Sequence, residues 1–252
     1  MADPLILQED LTALQEWETL SDMEFHPQKC KHLTITNKTK PIESVYSIHS
    51  ENLEKVSNAK YLGVTLNKKL KWNTHIDAIC KKANQKRSFL QRNLRGCSRK
   101  IKEKAFNIYV RPIVSYASPV WNPIISNQSL CDQLEMVQRK GARFVYSDWR
   151  WEASPTRMMK DLSWKPLEHH RKVDSVVLLH DIRGGKLVMP GILPKPVRDS
   201  NKYQPIHGRV IAYQDSFIPA SINWWNKLPA NILNMEDRNE FKDATSRYFL
   251  KN

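Results

Sequence analysis

The sequence is poor in cysteine and contains no CxxC pair, since Cys30, Cys80, Cys97 and Cys131 are widely and irregularly spaced. That excludes zinc-ribbon and thioredoxin-like chemistry and leaves four reduced thiols, mostly packing residues. No apolar run approaches the roughly 18–20 residues of a membrane-spanning helix, and the N-terminal "MADPLILQEDL" is acidic where a signal peptide is basic. The chain is therefore expected to be intracellular, in nucleus or cytoplasm, with no membrane partner. Ser, His and Asp are present without a GxSxG or other nucleophile turn, so nothing supports a hydrolase. There is no internal repeat and no low-complexity tract. No two aspartates are adjacent anywhere in the chain. Acids are also scarce in one long stretch. Between Lys60 and Arg111 only Asp77 and Glu103 stand against fifteen Lys or Arg, so this block holds nearly all of the formal net charge of +14.

What is present is a chain of 252 residues, 40% apolar and 9% aromatic, able to bury a core. Its basicity favours a polyanionic partner, RNA or DNA, because clustered cations attract phosphate at long range and release counterions on contact. Residues 1 to 29 run the other way: Asp3, Glu9, Asp10, Glu16, Glu18, Asp22 and Glu24 face Lys29 alone.

Periodicity sets the coarse organisation. Leu7, Leu11, Leu14 and Trp17 or Glu18 predict an amphipathic helix over 5–20. "CKHLTIT" (30–36), "SVYSIH" (44–49) and "KYLGVTL" (60–66) read as strands. Residues 73–95 return to helical period, with Ile76, Ile79, Cys80, Ala83, Leu90 and Leu94 in one sector and Lys81, Lys82, Arg92 and Arg95 outside it. Phe89 projects among the cations and is expected to be covered by a neighbouring helix, with stacking on a base as the alternative. A helix over about 98–110 carries Ile101, Ala105, Ile108 and Tyr109 until Pro112, and its Arg99, Lys100, Lys102 and Lys104 extend the basic block. Further helices are predicted over 129–145, from a Ser154 cap with Pro155 at the first helical position, over 166–182 up to Gly184-Gly185, and over 236–250. The Pro/Gly-rich stretch 184–208 reads as an extended linker.

Four stretches in this order resemble the back half of a non-LTR (LINE-type, jockey/CR1-like) retrotransposon reverse transcriptase. "LQEDLTALQEWETLSDMEFHPQKCKHLTIT" is similar to the helix after the catalytic turn and the fourth palm motif. "KYLGVTLNKKLKWNTHI" is similar to the primer-grip strand and the start of the thumb. "NIYVRPIVSYASPVWNP" with "LEMVQRKGARFV" resembles the post-thumb helices, and "FIPASINWWNKLP" a tail segment. The resemblance implies an α+β fold, with an N-terminal helix on a small antiparallel sheet left over from the palm, then a mostly α-helical thumb-like and C-terminal region. The expected divisions are 1–71 (palm remnant with the primer-grip-like strand), 72–125 (basic thumb-like helices), 126–183 (helical post-thumb region), 184–208 (linker) and 209–252 (tail).

The resemblance also implies a nucleic-acid surface of Lys60, Gly63, Lys68, Lys69, Lys71, Lys81, Lys82, Arg92, Arg95, Arg99 and Lys100, gripping the phosphates of a primer–template duplex. Gly63, lacking a Cβ, would let two backbones approach closely, although a bulge or a plain hairpin glycine is an equal alternative. Lys29 matches the lysine of the fourth motif, implicated in protonating pyrophosphate; here solvation or a phosphate contact is the expected role. Polymerases of this family use two Mg²⁺ held by aspartates. The only adjacent acids here, Glu9-Asp10 and Glu236-Asp237, lie in predicted helices and diverge. No catalytic or metal-binding residue and no cofactor is therefore expected. The chain is expected to be a truncated fragment without polymerase activity of its own. A first alternative is the C-terminal portion of an active RNA-directed DNA polymerase whose catalytic half lies upstream and would then be a partner. A second is a helical protein-interaction module reused by the host.

Other constellations are weaker. His26, Cys30 and His32 lack a fourth zinc ligand, His169-His170 reads as half surface and half interface, and Trp121, Trp164, Trp224 and Trp225 read as packing residues.

Overall fold

The computed structural model describes residues 4–123, 127–187, 189, 193–198 and 201–251. The chain divides into two compact units, Met1–His75 and Ile76–Asn252, and its class is α+β. Among the described residues no helix is long and apolar enough to cross a membrane.

The first unit opens with α1 (Pro4–Leu20) and a 3-10 turn at Pro27–Lys29. Six short strands follow: β1 (Lys31–His32), β2 (Ser47–Ile48), β3 (Glu51–Asn52), β4 (Glu54–Lys55), β5 (Asn58–Tyr61) and β6 (Val64–Asn67). They form three two-stranded sheets, with β1–β4 parallel and β2–β3 and β5–β6 antiparallel. Each hairpin closes on two residues of positive φ, His49-Ser50 in one and Leu62-Gly63 in the other, the turn handedness that matches the twist of the flanking strands. The strand expected over 60–66 is therefore a hairpin tip.

The expected apolar stripe of α1 does not face inward. Leu7, Leu14 and Trp17 are exposed, and the inward side carries Gln8, Leu11, Gln15 and Glu18. Polar groups hold the helix because they complete a strand edge. Gln8 Nε2 donates to Ser47 O and Ser47 N donates to Gln8 Oε1, both at 3.0 Å. Gln15 Oε1 accepts from His49 N at 2.7 Å, and Glu18, only 4% exposed, accepts from Phe25 N and pairs with His49. The small core beneath is Tyr46, Ile48 and Val64.

The second unit is helical. Its elements are α2 (Asn73–Asn93, whose first turn belongs to the first unit), α3 (Arg99–Tyr109), α4 (Ser118–Trp121), α5 (Gln128–Tyr146), α6 (Pro155–Asp161) and α7 (Leu167–Arg183). Then come α8 (Ile211–Gln214), α9 (Phe217–Trp225), α10 (Ala230–Leu233) and α11 (Arg238–Lys251). Ser154 caps α6 through Arg157 N at 3.3 Å, with Pro155 at its first position.

Helix α7 is central and packs against α4, α5, α9 and α11. Val173, Val176, Leu179, Ile222, Trp225, Leu228 and Phe241 form the core there. Trp121 and Trp225 are fully buried, Trp164 is 8% exposed, and Trp224 packs against the core, so all four serve as packing residues. The described residues of the Pro/Gly-rich stretch fall within the second unit. Tyr203, only 7% exposed, is held by Asn226, whose side chain bonds both its N and its O.

Two expectations of phase are corrected. On α3, Phe106 and Val110 point inward with Lys102, while Ile101, Ile108 and Tyr109 are more than half exposed. Glu236 and Asp237 precede α11, and Asp237 Oδ1 accepts from Asn239 N and Glu240 N, both at 2.8 Å. That carboxylate caps a helix.

Candidate nucleic-acid interface

In the first unit the expected residues gather on and after one hairpin. Lys60 on β5, Gly63 at the tip, and Lys68, Lys69 and Lys71 beyond β6 are all exposed, as are Tyr61 and Leu62. Gly63 has φ +85°. The turn needs that conformation, so the glycine is explained by its hairpin. The lysines leave a pinned bend: Lys68 N donates to Ser57 O at 3.0 Å, Thr36 N to Lys68 O at 3.1 Å, and Lys69 N to Asn67 Oδ1 at 2.9 Å. Burial first, and then the Lys60 charge, lower the pKa of His75, whose Nδ1 accepts from Thr65 N at 3.2 Å. Lys29 is exposed at the end of its 3-10 turn.

In the second unit, α2 buries Ile76, Cys80, Ala83 and Leu90 on one face. Arg87 lies in that same phase and is 9% exposed. Its guanidinium donates to Gln91 Oε1 at 2.8 Å and sits 5.4 Å from the centre of the Trp149 ring. Burial lowers the Arg87 pKa from its usual value. Lys81, Lys82, Arg92 and Arg95 stay exposed. Lys81 and Arg92 line one open depression of about 420 Å³ with Asn84, Gln85 and Ser88; Lys82 does not line it. Phe89 is 51% exposed, against expectation, with Lys86 Nζ 5.7 Å from its ring centre. Its position falls between the two lysine flanks of the helix, on the side turned to solvent.

Past the end of α2 the cations meet aromatics. Arg99 stacks on Tyr146 at 3.9 Å. Lys100 is exposed. Arg95 lines a second pocket, of about 200 Å³, with Gln91, Lys102, Phe144, Ser147 and Trp149. Among the described residues the ion pairs engage cations outside the 60–111 block throughout, at Lys31, His49, Lys55, Arg150, Arg238 and Lys242. Within the block, Arg87 and Lys102 are buried and Arg111 feels the Glu103 charge, while most of the other cations are exposed and enter no ion pair among the described residues.

Sequence reasoning did not foresee that Arg87 meets Trp149 and Arg99 meets Tyr146, or that Lys102, counted with the basic block, is buried. The signals were a cation in each inward helical phase and the "DWRW" run at 148–151. Among the described residues no group of three or more His, Cys, Asp or Glu could hold a metal ion. Glu9 and Asp10 stand on α1 and Asp237 is engaged as a cap, so neither adjacent acid pair fits a Mg²⁺ pair.

Over 166 residues, 64% of its length, the chain is 28% identical to the probable RNA-directed DNA polymerase from transposon BS of Drosophila melanogaster, covering 18% of that protein. Over 73 residues, 29% of its length, it is 34% identical to the RNA-directed DNA polymerase from mobile element jockey of the same species, covering 8% of it. An uncharacterized Caenorhabditis elegans protein is 27% identical over 134 residues, which are 52% of this chain and 66% of that one. The chain spans less than a fifth of either polymerase. No family model matches the chain, and no solved structure does. Its similarity is to polymerases of non-LTR retrotransposons.

Proposed function

We propose that this chain is a reverse transcriptase fragment that binds RNA and DNA, including primer–template duplex, through thumb-like helices α2 and α3, and that it does not join nucleotides by itself. One observation carries the reading. The fifteen Lys and Arg of the 60–111 block enter none of the ion pairs formed among the described residues, and most project into solvent. Contacts of this kind are to phosphate, strong at low salt and nearly blind to sequence. Mg²⁺ would supply charge stabilisation at the transferring phosphoryl group, but neither adjacent acid pair suits it, so no chemical step is assigned to these residues.

A second reading has its own support. Because the chain covers 18% of the BS polymerase, it is also compatible with the C-terminal portion of a longer active enzyme, with the catalytic half as its partner. Titration of the purified chain with a primer–template duplex across a salt series, beside an extension assay with Mg²⁺, tests both. The proposal expects steeply salt-dependent binding, weakened when Lys81, Lys82, Arg92 and Arg95 become alanine, and no extension. Unchanged affinity of that variant overturns the binding surface, and template-directed extension overturns the lack of activity.

A further inference from the structure

The pocket between the end of α2, the first turn of α3 and the α5–α6 loop differs from the rest of the basic surface. Lys102 lines it while only 6% exposed. A buried ammonium is costly without a counter-charge, and this one has only neutral acceptors, Arg95 O at 3.1 Å and Ser147 Oγ at 2.7 Å. Arg95 adds a second cation, and no acid lines the pocket. The wall is aromatic. Trp149 is 44% exposed, with Arg87 5.4 Å from its ring centre. Trp151, two residues on, is 94% exposed, an unusual state for so large an apolar ring.

The loop that presents both rings is braced. Arg143 donates to Arg150 O and Ala153 O, both at 2.9 Å, and Arg150 forks onto the Asp148 carboxylate. Two cations beside a fixed, half-exposed indole match an anion joined to a flat π-system, which is the chemistry of a nucleotide.

We infer that this pocket holds one unpaired nucleotide of a nucleic-acid strand, its phosphate between Lys102 and Arg95 and its base stacked on Trp149. The inference rests on the nucleic-acid reading above and sharpens it. Bases within a duplex are stacked on one another and cannot reach an indole, so the pocket distinguishes single strands from duplex, as the exposed lysines alone do not. Arg87, 5.4 Å from the centre of the ring, supports the indole.

The experiment compares three probes on the whole chain: a short fluorescein-labelled oligodeoxythymidine strand, a blunt duplex of equal length, and free thymidine monophosphate as competitor. Trp149→Ala is expected to weaken single-strand binding about ten-fold, the scale of one lost base stack, and to leave duplex binding unchanged. Trp149→Phe, which keeps a ring, restores most of the loss. Melting curves confirm that both variants fold. Single-strand affinity unchanged in Trp149→Ala overturns the pocket while the broader reading stands. If the wild-type chain binds neither strand nor duplex, the broader reading falls and the pocket with it. If the monophosphate competes as tightly as the strand binds, the occupant is a free nucleotide and the strand assignment is overturned.

Discussion

A Cβ placed on Gly141 would lie 2.3 Å from Cε2 of Phe106. The glycine in the middle of α5 is there because α3 packs its buried phenylalanine directly on it, and Phe106 cannot yield, being stacked on Trp164 at 4.8 Å and 18°. Gly141→Ala should gain about 0.8–1.0 kcal/mol of helix propensity and lose about 1–3 kcal/mol to overpacking. The net expectation is a destabilisation of up to about 2 kcal/mol, read from denaturant midpoints. Adding Phe106→Leu should recover part of it. An alanine variant more stable than the parent contradicts this packing.

The α3 helix also shows where the sequence was legible and where it was not. On α2 only one apolar sector exists, and Ile76, Cys80, Ala83 and Leu90 are buried in it. On α3 two stripes compete, Ile101-Ala105-Ile108 and Lys102-Phe106-Val110, and the second is inside. A wheel favours the first because it counts Lys102 as polar, yet a lysine can bury its stem and send its amine to backbone and hydroxyl acceptors. The same blindness affected α1, which is held by Gln8, Gln15 and Glu18 through a strand edge that no periodicity reveals. The basic block itself was legible as charge. Its pairing with Tyr146 and Trp149 was not, because those residues lie about fifty positions away in sequence and meet it through tertiary packing that includes α5 on α3.

Stability should fall in acid. His169 is 8% exposed with Nε2 3.0 Å from Ser246 Oγ, and burial first, then Lys165 and neighbouring cations, push its pKa down to about 4. His170 is likewise pushed down to about 4 by burial and then Arg111, Lys165 and Lys242, while Asp174 opposes the shift at His169. The unfolded chain therefore binds more protons between the ordinary histidine value of 6.5 and about 4. Stability is complete above that window and declines as pH falls through it, by up to about 1.4 kcal/mol per pH unit for each ring. Thermal melts from pH 7 to pH 4 check it, and His169→Gln with His170→Gln should flatten the profile.

Thiol reactivity should separate the four cysteines. Burial pushes the Cys80 thiol up to about 11 and, with smaller charge effects, raises Cys131 as well, whereas Cys30 and Cys97 are partly exposed. Iodoacetamide at mild alkaline pH, followed by peptide mass mapping, should modify Cys30 and Cys97 well before the other two, since only the accessible thiolate reacts. Equal rates at all four would mean that α2 and α5 open readily.

The salt dependence of binding measures how many cations touch phosphate. Replacing Lys81, Lys82, Arg92 and Arg95 by alanine should lower the slope of log affinity against log salt by about 0.9 for each duplex phosphate that is no longer neutralised, or about 0.7 on a single strand. All four are exposed, so stability should shift by no more than about 0.5 kcal/mol per site. The parallel set Lys60, Lys68, Lys69 and Lys71, exposed in the first unit, should reduce the slope independently if both units grip nucleic acid. An unchanged slope in either set removes that set from the interface.

Asn226 ties the proline-rich stretch to the helical core through two bonds with one residue, accepting from Tyr203 N at 3.0 Å and donating to Tyr203 O at 2.8 Å. The Tyr203 ring lies 6.1 Å from that of Trp225, whose Nε1 donates to Asn201 O at 2.8 Å. Asn226→Ala leaves a buried backbone amide and carbonyl without these partners, a loss of about 1–3 kcal/mol. Asn226→Asp keeps the acceptor for Tyr203 N but sets a carboxylate oxygen against the Tyr203 carbonyl, so it should destabilise at least as much as the alanine variant. Because the tie is local, opening of the stretch should precede global unfolding, and trypsin should then cut after Arg198 and Lys202 faster in the alanine variant than in the parent, while sites on α7 and α11 stay protected. Cleavage at the same rate in both chains would show that Tyr203 is held by its ring packing alone.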